Sequence, residues 1–140
     1  MKNWLARLFG FIMRPKEKRT LSGSTTILLA ALLVHLIYDL DVAAASMVII
    51  VVGDTAAALI GRRFGRLKYM NKSLEGSLAF MLFSGFGILL IPDLLFKVAF
   101  AGVFIGAVVE ALPLPIDDNI TVPLAAGALM QLLINHSVMI

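Results

Sequence analysis

The chain has 140 residues, of which 60% are hydrophobic and 15% charged, whereas an ordinary soluble domain carries about 25% charged residues. A soluble core of this length cannot hide so much apolar surface, and the absence of cysteine removes disulfides, zinc–thiolate sites and thiol nucleophiles together. The net charge of +3 says little as a total because the basic residues cluster, and their place beside apolar spans excludes soluble nucleic-acid binding.

Residues 1–20 come first in chain order. Trp4, Leu5, Leu8, Phe9 and Ile12 fall at helical spacing, with Lys2, Arg7 and Arg14 among the remaining positions. This pattern predicts an amphipathic helix lying in a membrane interface. A signal peptide is the competing reading, but Arg7 interrupts the apolar stretch it would need and no small-residue cleavage site follows. Arg14 to Arg19 has the composition of an anchor for anionic lipid headgroups. A plain topology determinant explains that stretch equally well.

Five apolar segments follow, approximately Leu21 to Tyr38, Val42 to Ile60, Ser77 to Ile91, Leu94 to Leu112 and Ile120 to Ile134. They predict an all-α, polytopic integral membrane protein in which residues 21–140 form a single domain of about five transmembrane helices. Several segments fall short of the roughly 20 residues that cross an ordinary bilayer, so either their ends are buried or the bilayer thins around them. The separators are Asp39-Leu40-Asp41, a loop at 61–76, Pro92-Asp93 and a loop at 113–119. Two of these are short enough to predict antiparallel hairpins.

Topology can be read from lysine and arginine. With a cytoplasmic N-terminus, five crossings place Lys2, Arg7, Arg14, Lys16, Lys18 and Arg19 inside together with Arg62, Arg63, Arg66, Lys68 and Lys72. Only Lys97 of the 12 basic residues is then outside, as the positive-inside rule demands. The same arrangement brings the loops at 61–76 and 113–119 to one membrane face, where cytoplasmic nucleotides are available.

The most informative stretch runs from Gly53 to Ser77. Asp54 lies near the end of an apolar span, and an acid at such depth needs a partner, an ion or a substrate. Asp54, Ala58 and Gly61 share one helix face, where a carboxylate can hold a divalent cation that also bridges substrate phosphates. Gly61 and Gly65 permit tight turns, and Arg62, Arg63, Arg66, Lys68 and Lys72 offer positive charge for phosphate. Orientation and lipid-phosphate binding explain the bases as well. In Lys72-Ser73-Leu74-Glu75-Gly76-Ser77, Lys72 and Glu75 can pair, Ser73 can cap exposed amides, the helix start favours an anion and Gly76 admits close approach.

A second constellation runs from Glu110 to Asn119. Gly102, Gly106 and Glu110 are spaced by four, so close packing of the glycine face aims Glu110 inward. Two prolines then present Asp117, Asp118 and Asn119 before the last segment. Adjacent carboxylates repel unless a cation lies between them, and magnesium suits oxygen ligands. Capping of the last helix by one of these residues is the plainer reading.

These blocks carry a family resemblance. Arg14-Pro-Lys-Glu17-Lys-Arg19-Thr-Leu-Ser-Gly23-Ser-Thr25, Gly53-Asp54-Thr-Ala-Ala57 with Gly61-Arg-Arg63-Phe-Gly65, Lys72-Ser73-Leu-Glu75-Gly76-Ser77, and Glu110 with Asp117-Asp118-Asn119 resemble, in that order, the CTP-dependent lipid kinases. That family includes dolichol kinase, phytol kinase and the yeast-type diacylglycerol kinase. The block from Asp54 to Glu75-Gly76 is also distantly similar to part of CDP-diacylglycerol synthase, whose long C-terminal signature does not occur here.

The resemblance implies transfer of the γ-phosphoryl group of CTP, or of another nucleoside triphosphate such as ATP, to a membrane-embedded lipid alcohol, with Mg²⁺, by a protein whose N-terminus and active site are cytoplasmic. It implies metal ligation by Asp54 and Asp118 with Asp117 as a third, triphosphate binding by Lys72, Arg62 and Arg63, and a role for Glu75 or Glu110 in orienting Lys72 or taking the hydroxyl proton. Gly65, Ser73, Gly76 and Asn119 complete the implied nucleotide site. Larger members of the family begin with further helices bearing an Arg-Lys and histidine block that His35 and His136 do not replace. This implies a five-helix unit completed as a homodimer, with Gly102 and Gly106 as a contact face, or a unit without activity. A phosphatidate cytidylyltransferase and a non-catalytic lipid-binding protein are the alternatives.

Overall fold

The structure, a computed structural model, describes residues 23–70 and 72–138. The amphipathic helix expected over residues 1–20 lies outside the described residues. Within them the chain is helical, with α1 at Gly23–Ile37, α2 at Leu40–Phe64, α3 at Leu74–Gly87, α4 at Phe96–Ala111 and α5 at Asp118–Val138. Each helix corresponds to one of the five apolar segments. The ends moved where side chains other than apolar ones could continue the ladder: α2 runs on through Arg62 and Arg63, and α3 starts at Leu74, three residues before the expected Ser77.

The loop expected at 61–76 is therefore much shorter and contains a small antiparallel hairpin. Strand β1, Lys68–Tyr69, pairs with β2, Lys72–Ser73, in the register Lys68 with Ser73 and Tyr69 with Lys72. Met70 in its turn has φ 52°, the left-handed region that costs a non-glycine residue energy. Two-residue strands leave no hydrophobic alternation to read, so periodicity could not reveal them.

Helix α2 is central. It packs most extensively against α3 and also meets α5, α1 and α4, while α4 and α5 form the other large contact. The core between them consists of Val42, Ile49, Ile50, Phe80, Val103, Val122 and Met130 with small alanines between them. Glycines let the helices approach closely. A methyl group on Gly53 would lie 2.6 Å from the Phe80 ring, and one on Gly102 would lie 2.5 Å from the Met130 sulfur. Gly53→Leu therefore displaces Phe80. It should lower stability by about 1–3 kcal/mol, the usual cost of overpacking, read as an earlier thermal transition in detergent.

The same packing corrects one expectation. Gly102 and Gly106 are buried inside the protomer, against Met130 on α5 and against Ile49 and Val122, so they offer no face to a second copy. Both histidines are exposed.

The outward faces are apolar too. Leu28, Leu32 and Leu36 form an exposed row along α1, Leu78, Leu82 and Phe86 along α3, and Phe96, Phe100 and Phe104 along α4. Spacing by four stacks each trio on one face, and a helix apolar all round belongs in a core or a bilayer. Two of the helices, Leu40–Phe64 and Asp118–Ser137, are long and apolar enough to cross a membrane, and Gly23–Ile37 and Leu74–Leu90 are shorter apolar helices. At the end of the bundle away from the hairpin, Gln131 clasps the turn between α1 and α2. It accepts from the Asp39 amide at 2.9 Å and donates to the Asp39 carboxylate at 2.7 Å.

Candidate active site

The cavity that matters opens where the C-terminal half of α2, the hairpin and the start of α3 meet the end of α4 and the start of α5. It holds about 620 Å³ and is lined among others by Asp54, Gly61, Arg62, Lys68, Lys72 and Ser73, with Glu110 and Asp118 closing it from the far side. Asp54, Ala58 and Gly61 do share its wall, as their spacing on one helix face requires.

Lys72 joins the two constellations. Its ammonium lies 2.8 Å from Asp118 Oδ2 and 3.2 Å from Glu110 Oε1, and it also donates to the Glu110 main-chain carbonyl. Burial opposes its charge, but the hydrogen bond to Asp118 and the charges of Glu110 and Asp118 outweigh burial and hold its pKa above the ordinary 10.5. Lys72 is thus a fixed cation. The expected Lys72–Glu75 pair does not form, because three residues at the strand-to-helix junction send the two side chains in different directions.

Glu75 instead braces the loop. It accepts hydrogen bonds from the Arg66 amide at 3.0 Å and the Leu67 amide at 3.1 Å, and it does not line the cavity. The hydrogen bonds it accepts from main-chain amides, its own first and then that of Leu67, hold its pKa below the ordinary 4.5. A depressed carboxylate contributes stability above its unfolded pKa and loses it as pH falls through the folded one. Glu75→Ala should therefore speed amide exchange at Arg66 and Leu67 at pH 7, and wild-type protein should show the same loosening only once the pH drops below 4.5.

Ser73 caps α3, accepting from the Gly76 amide at 3.2 Å. Gly61, Gly65 and Gly76 converge on its hydroxyl: an added methyl on Gly61 or Gly76 would lie 3.0 Å from Ser73 Oγ, and one on Gly65 would lie 2.8 Å from it. A side chain on Gly65 would also collide with the Gly61 carbonyl. The glycines thus let the end of α2 and the start of α3 touch, which shapes the cavity floor.

Other expected residues point elsewhere. Arg62 lines the cavity and donates to the Ala58 carbonyl at 2.9 Å, whereas the Arg63 guanidinium lies over the Phe64 ring, 5.6 Å from its centre. Asp117 caps α5, its Oδ1 accepting from the Asn119 amide at 2.9 Å, so the plainer reading describes its contacts. Asn119 faces α1, donating to Thr26 Oγ1 at 3.4 Å. Neither residue lines the cavity.

Sequence reasoning missed a polar chain behind Glu110. Ser77 donates to Glu110 Oε2 at 3.1 Å, and Tyr69 and Ser77 share a 2.5 Å hydrogen bond. With the Ser77 proton directed at the carboxylate, Tyr69 is the donor to Ser77. Glu110, 6% exposed, thereby has both oxygens engaged, as a buried carboxylate must. The helical spacing of Ser73, Gly76 and Ser77 was the available signal.

The site fits a magnesium–nucleotide complex in its donor chemistry. Asp54 faces the negative charges of Glu110, Asp118 and Asp117 along with the positive Lys72, and magnesium is commonly held by one or two carboxylates plus substrate phosphates and waters. Among the described residues no group of three or more His, Cys, Asp or Glu side chains forms a closed metal cage.

An apolar helical protein with a charged cavity at one end is the class these observations define. Several curated proteins named as lipid kinases are similar to it. A CTP-dependent diacylglycerol kinase 1 of Eremothecium gossypii is 40% identical over 73 residues, covering 50% of this chain and 23% of that protein. The protein of the same name from Schizosaccharomyces pombe is 28% identical over 156 aligned positions, covering 94% of this chain and 72% of its own length. A probable phytol kinase 1, chloroplastic, of Glycine max is 33% identical over 113 residues, covering 65% and 36%. No family model and no solved structure matches the chain. The chain is thus similar to proteins named as CTP-dependent diacylglycerol kinases and a phytol kinase, and it spans about a quarter of the length of the Eremothecium protein.

Proposed function

We propose that the protein is a membrane lipid kinase that transfers the γ-phosphoryl group of CTP to a lipid alcohol such as a diacylglycerol, phytol or a polyprenol. The observation that carries this reading is Lys72, bonded at once to Glu110 and Asp118, which joins two distant sequence blocks in one charged cavity at the end of an apolar bundle. Phosphoryl transfer asks a protein chiefly for positioning and charge neutralisation. A fixed cation, Arg62 and Lys68 beside the three carboxylates of the cavity supply both.

Asp54 and Asp118 would hold Mg²⁺, which would supply positive charge to offset that of the transferring phosphoryl group; Asp117, expected as a third ligand, instead caps α5. Lys72 and Arg62 bind the triphosphate, while Arg63, over the Phe64 ring, stands outside the cavity lining. Gly65, Ser73 and Gly76 shape the floor, and Asn119 fixes the start of α5. Glu110 orients Lys72. The lipid oxygen bonds to the γ-phosphorus as the bridging oxygen departs with its electron pair on CDP, and the hydroxyl proton passes to a carboxylate lining the cavity.

The five helices cross the membrane with the cavity and the N-terminus cytoplasmic, in keeping with the placement of lysine and arginine. A homodimer through an exposed apolar helix face belongs to the same proposal, measured by the mass of the protein in detergent. The test of function is purified protein given γ-labelled CTP and a panel of lipid alcohols, followed by thin-layer separation. Label on a lipid product supports the kinase. Label on lipid only from α-labelled CTP would show nucleotidyl transfer instead, and no label from either would leave a non-catalytic protein.

A further inference from the structure

Behind the Lys72–Asp118 pair lies a second cavity of about 240 Å³, walled by Tyr69 and Met70 of the hairpin and by Leu112 and Leu114 of the α4–α5 loop. It shares Met70, Lys72 and Asp118 with the larger cavity. Among its described lining residues those two are the only charged ones. We propose that this cavity receives the head of the lipid alcohol, so that the ion pair is the wall across which donor and acceptor meet. The proposal rests on the kinase reading and adds to it the place of the acceptor.

The division follows from charge. A nucleoside triphosphate needs cations, and Arg62 and Lys68 occur only in the larger cavity. A neutral lipid alcohol has no charge to offset and gains from leaving water along apolar walls. Its one polar group can donate to Asp118, which lines the smaller cavity. The mouth is apolar as well. Met70 is 73% exposed, Leu112 47% and Leu114 40%, and they stand at the same end of the bundle as the charged cavity, where an acyl or isoprenoid chain could run outward to the bilayer.

The walls are held in place. Tyr69 is tied through Ser77 to Glu110, and the loop turns tightly at Pro113, the Leu114 amide donating to the Leu112 carbonyl at 2.9 Å. The hydrogen-bond chain therefore connects the acceptor wall to the carboxylate that orients Lys72.

The experiment compares wild type with Leu112→Ser and Leu114→Ser in mixed micelles, and with Leu28→Ser on α1 as an exposed control away from the cavity. Each loop variant should raise KM for a long-chain diacylglycerol about tenfold, as expected for the loss of one buried leucine contact, with KM for CTP unchanged; Leu28→Ser should leave both unchanged. Unchanged acceptor KM, or an equal rise in KM for CTP, overturns the assignment. A binding readout separates this from failure of the kinase reading: a hexadecanol analogue with a diazirine beside its hydroxyl should label the peptides containing Met70 or Leu112–Leu114, and excess hexadecanol should prevent it. Label confined to the outer helix faces overturns the acceptor site even if phosphoryl transfer occurs, whereas competed label without transfer keeps an alcohol site and removes the kinase.

Discussion

Lys72→Met should abolish phosphoryl transfer and also lower stability by about 3 kcal/mol, because it leaves the Glu110 carboxylate buried without its cation. The low end of the range for broken buried pairs applies, since Lys72 retains 25% side-chain exposure. Thermal unfolding in detergent reads the second effect. The double variant Lys72→Met/Glu110→Gln should recover most of the lost stability, since replacing both partners of a buried pair removes the uncompensated charge, yet remain inactive. Recovery of activity in the double variant would exclude Lys72 from the chemistry. The pair also sets a pH limit. Because the Lys72 pKa is raised, its contribution is complete below 10.5 and disappears as pH climbs through the folded value. Stability lost to deprotonation of this pair should therefore appear only in strongly alkaline solution.

Asp54→Asn should abolish lipid-dependent CTP consumption while the protein still inserts and folds. A loss on the order of 10³-fold or more is expected, since a metal-bridged phosphate is worth several kcal/mol of transition-state charge stabilisation. Asparagine keeps the shape and removes the charge. The fold should be indifferent, because Asp54 faces the cavity and makes none of the core contacts that hold α2 to α3. Activity measured across a magnesium titration distinguishes a ligand from a mere spacer: a ligand variant should need much more metal or show no response. Wild-type turnover in Asp54→Asn would remove the metal assignment.

Much of this arrangement was legible in the chain itself. Every helix was visible as an apolar segment, since burial in a core or a lipid solvent demands apolar side chains over the whole length of a span. Glycine spacing also foretold that Glu110 points inward: Gly102, Gly106 and Glu110 share one face, and only a face without side chains lets α5 come near enough to cover it. The hairpin was not legible. Four residues in two strands carry no period, and their pairing depends on where the ends of α2 and α3 leave the chain.

Partner choice is what the sequence by itself left open. It determined an apolar helical bundle, a cluster of bases after α2 and a cluster of acids before α5, because composition and spacing act residue by residue. Only the tertiary structure decided that Lys72 turns from nearby Glu75 to distant Glu110 and Asp118, that Asp117 caps a helix, and that Gly102 and Gly106 pack inside the protomer. The physical reason is that a charge near the low-dielectric end of a bundle takes whichever opposite charge the packing brings within about 4 Å, and packing is a property of all five helices together.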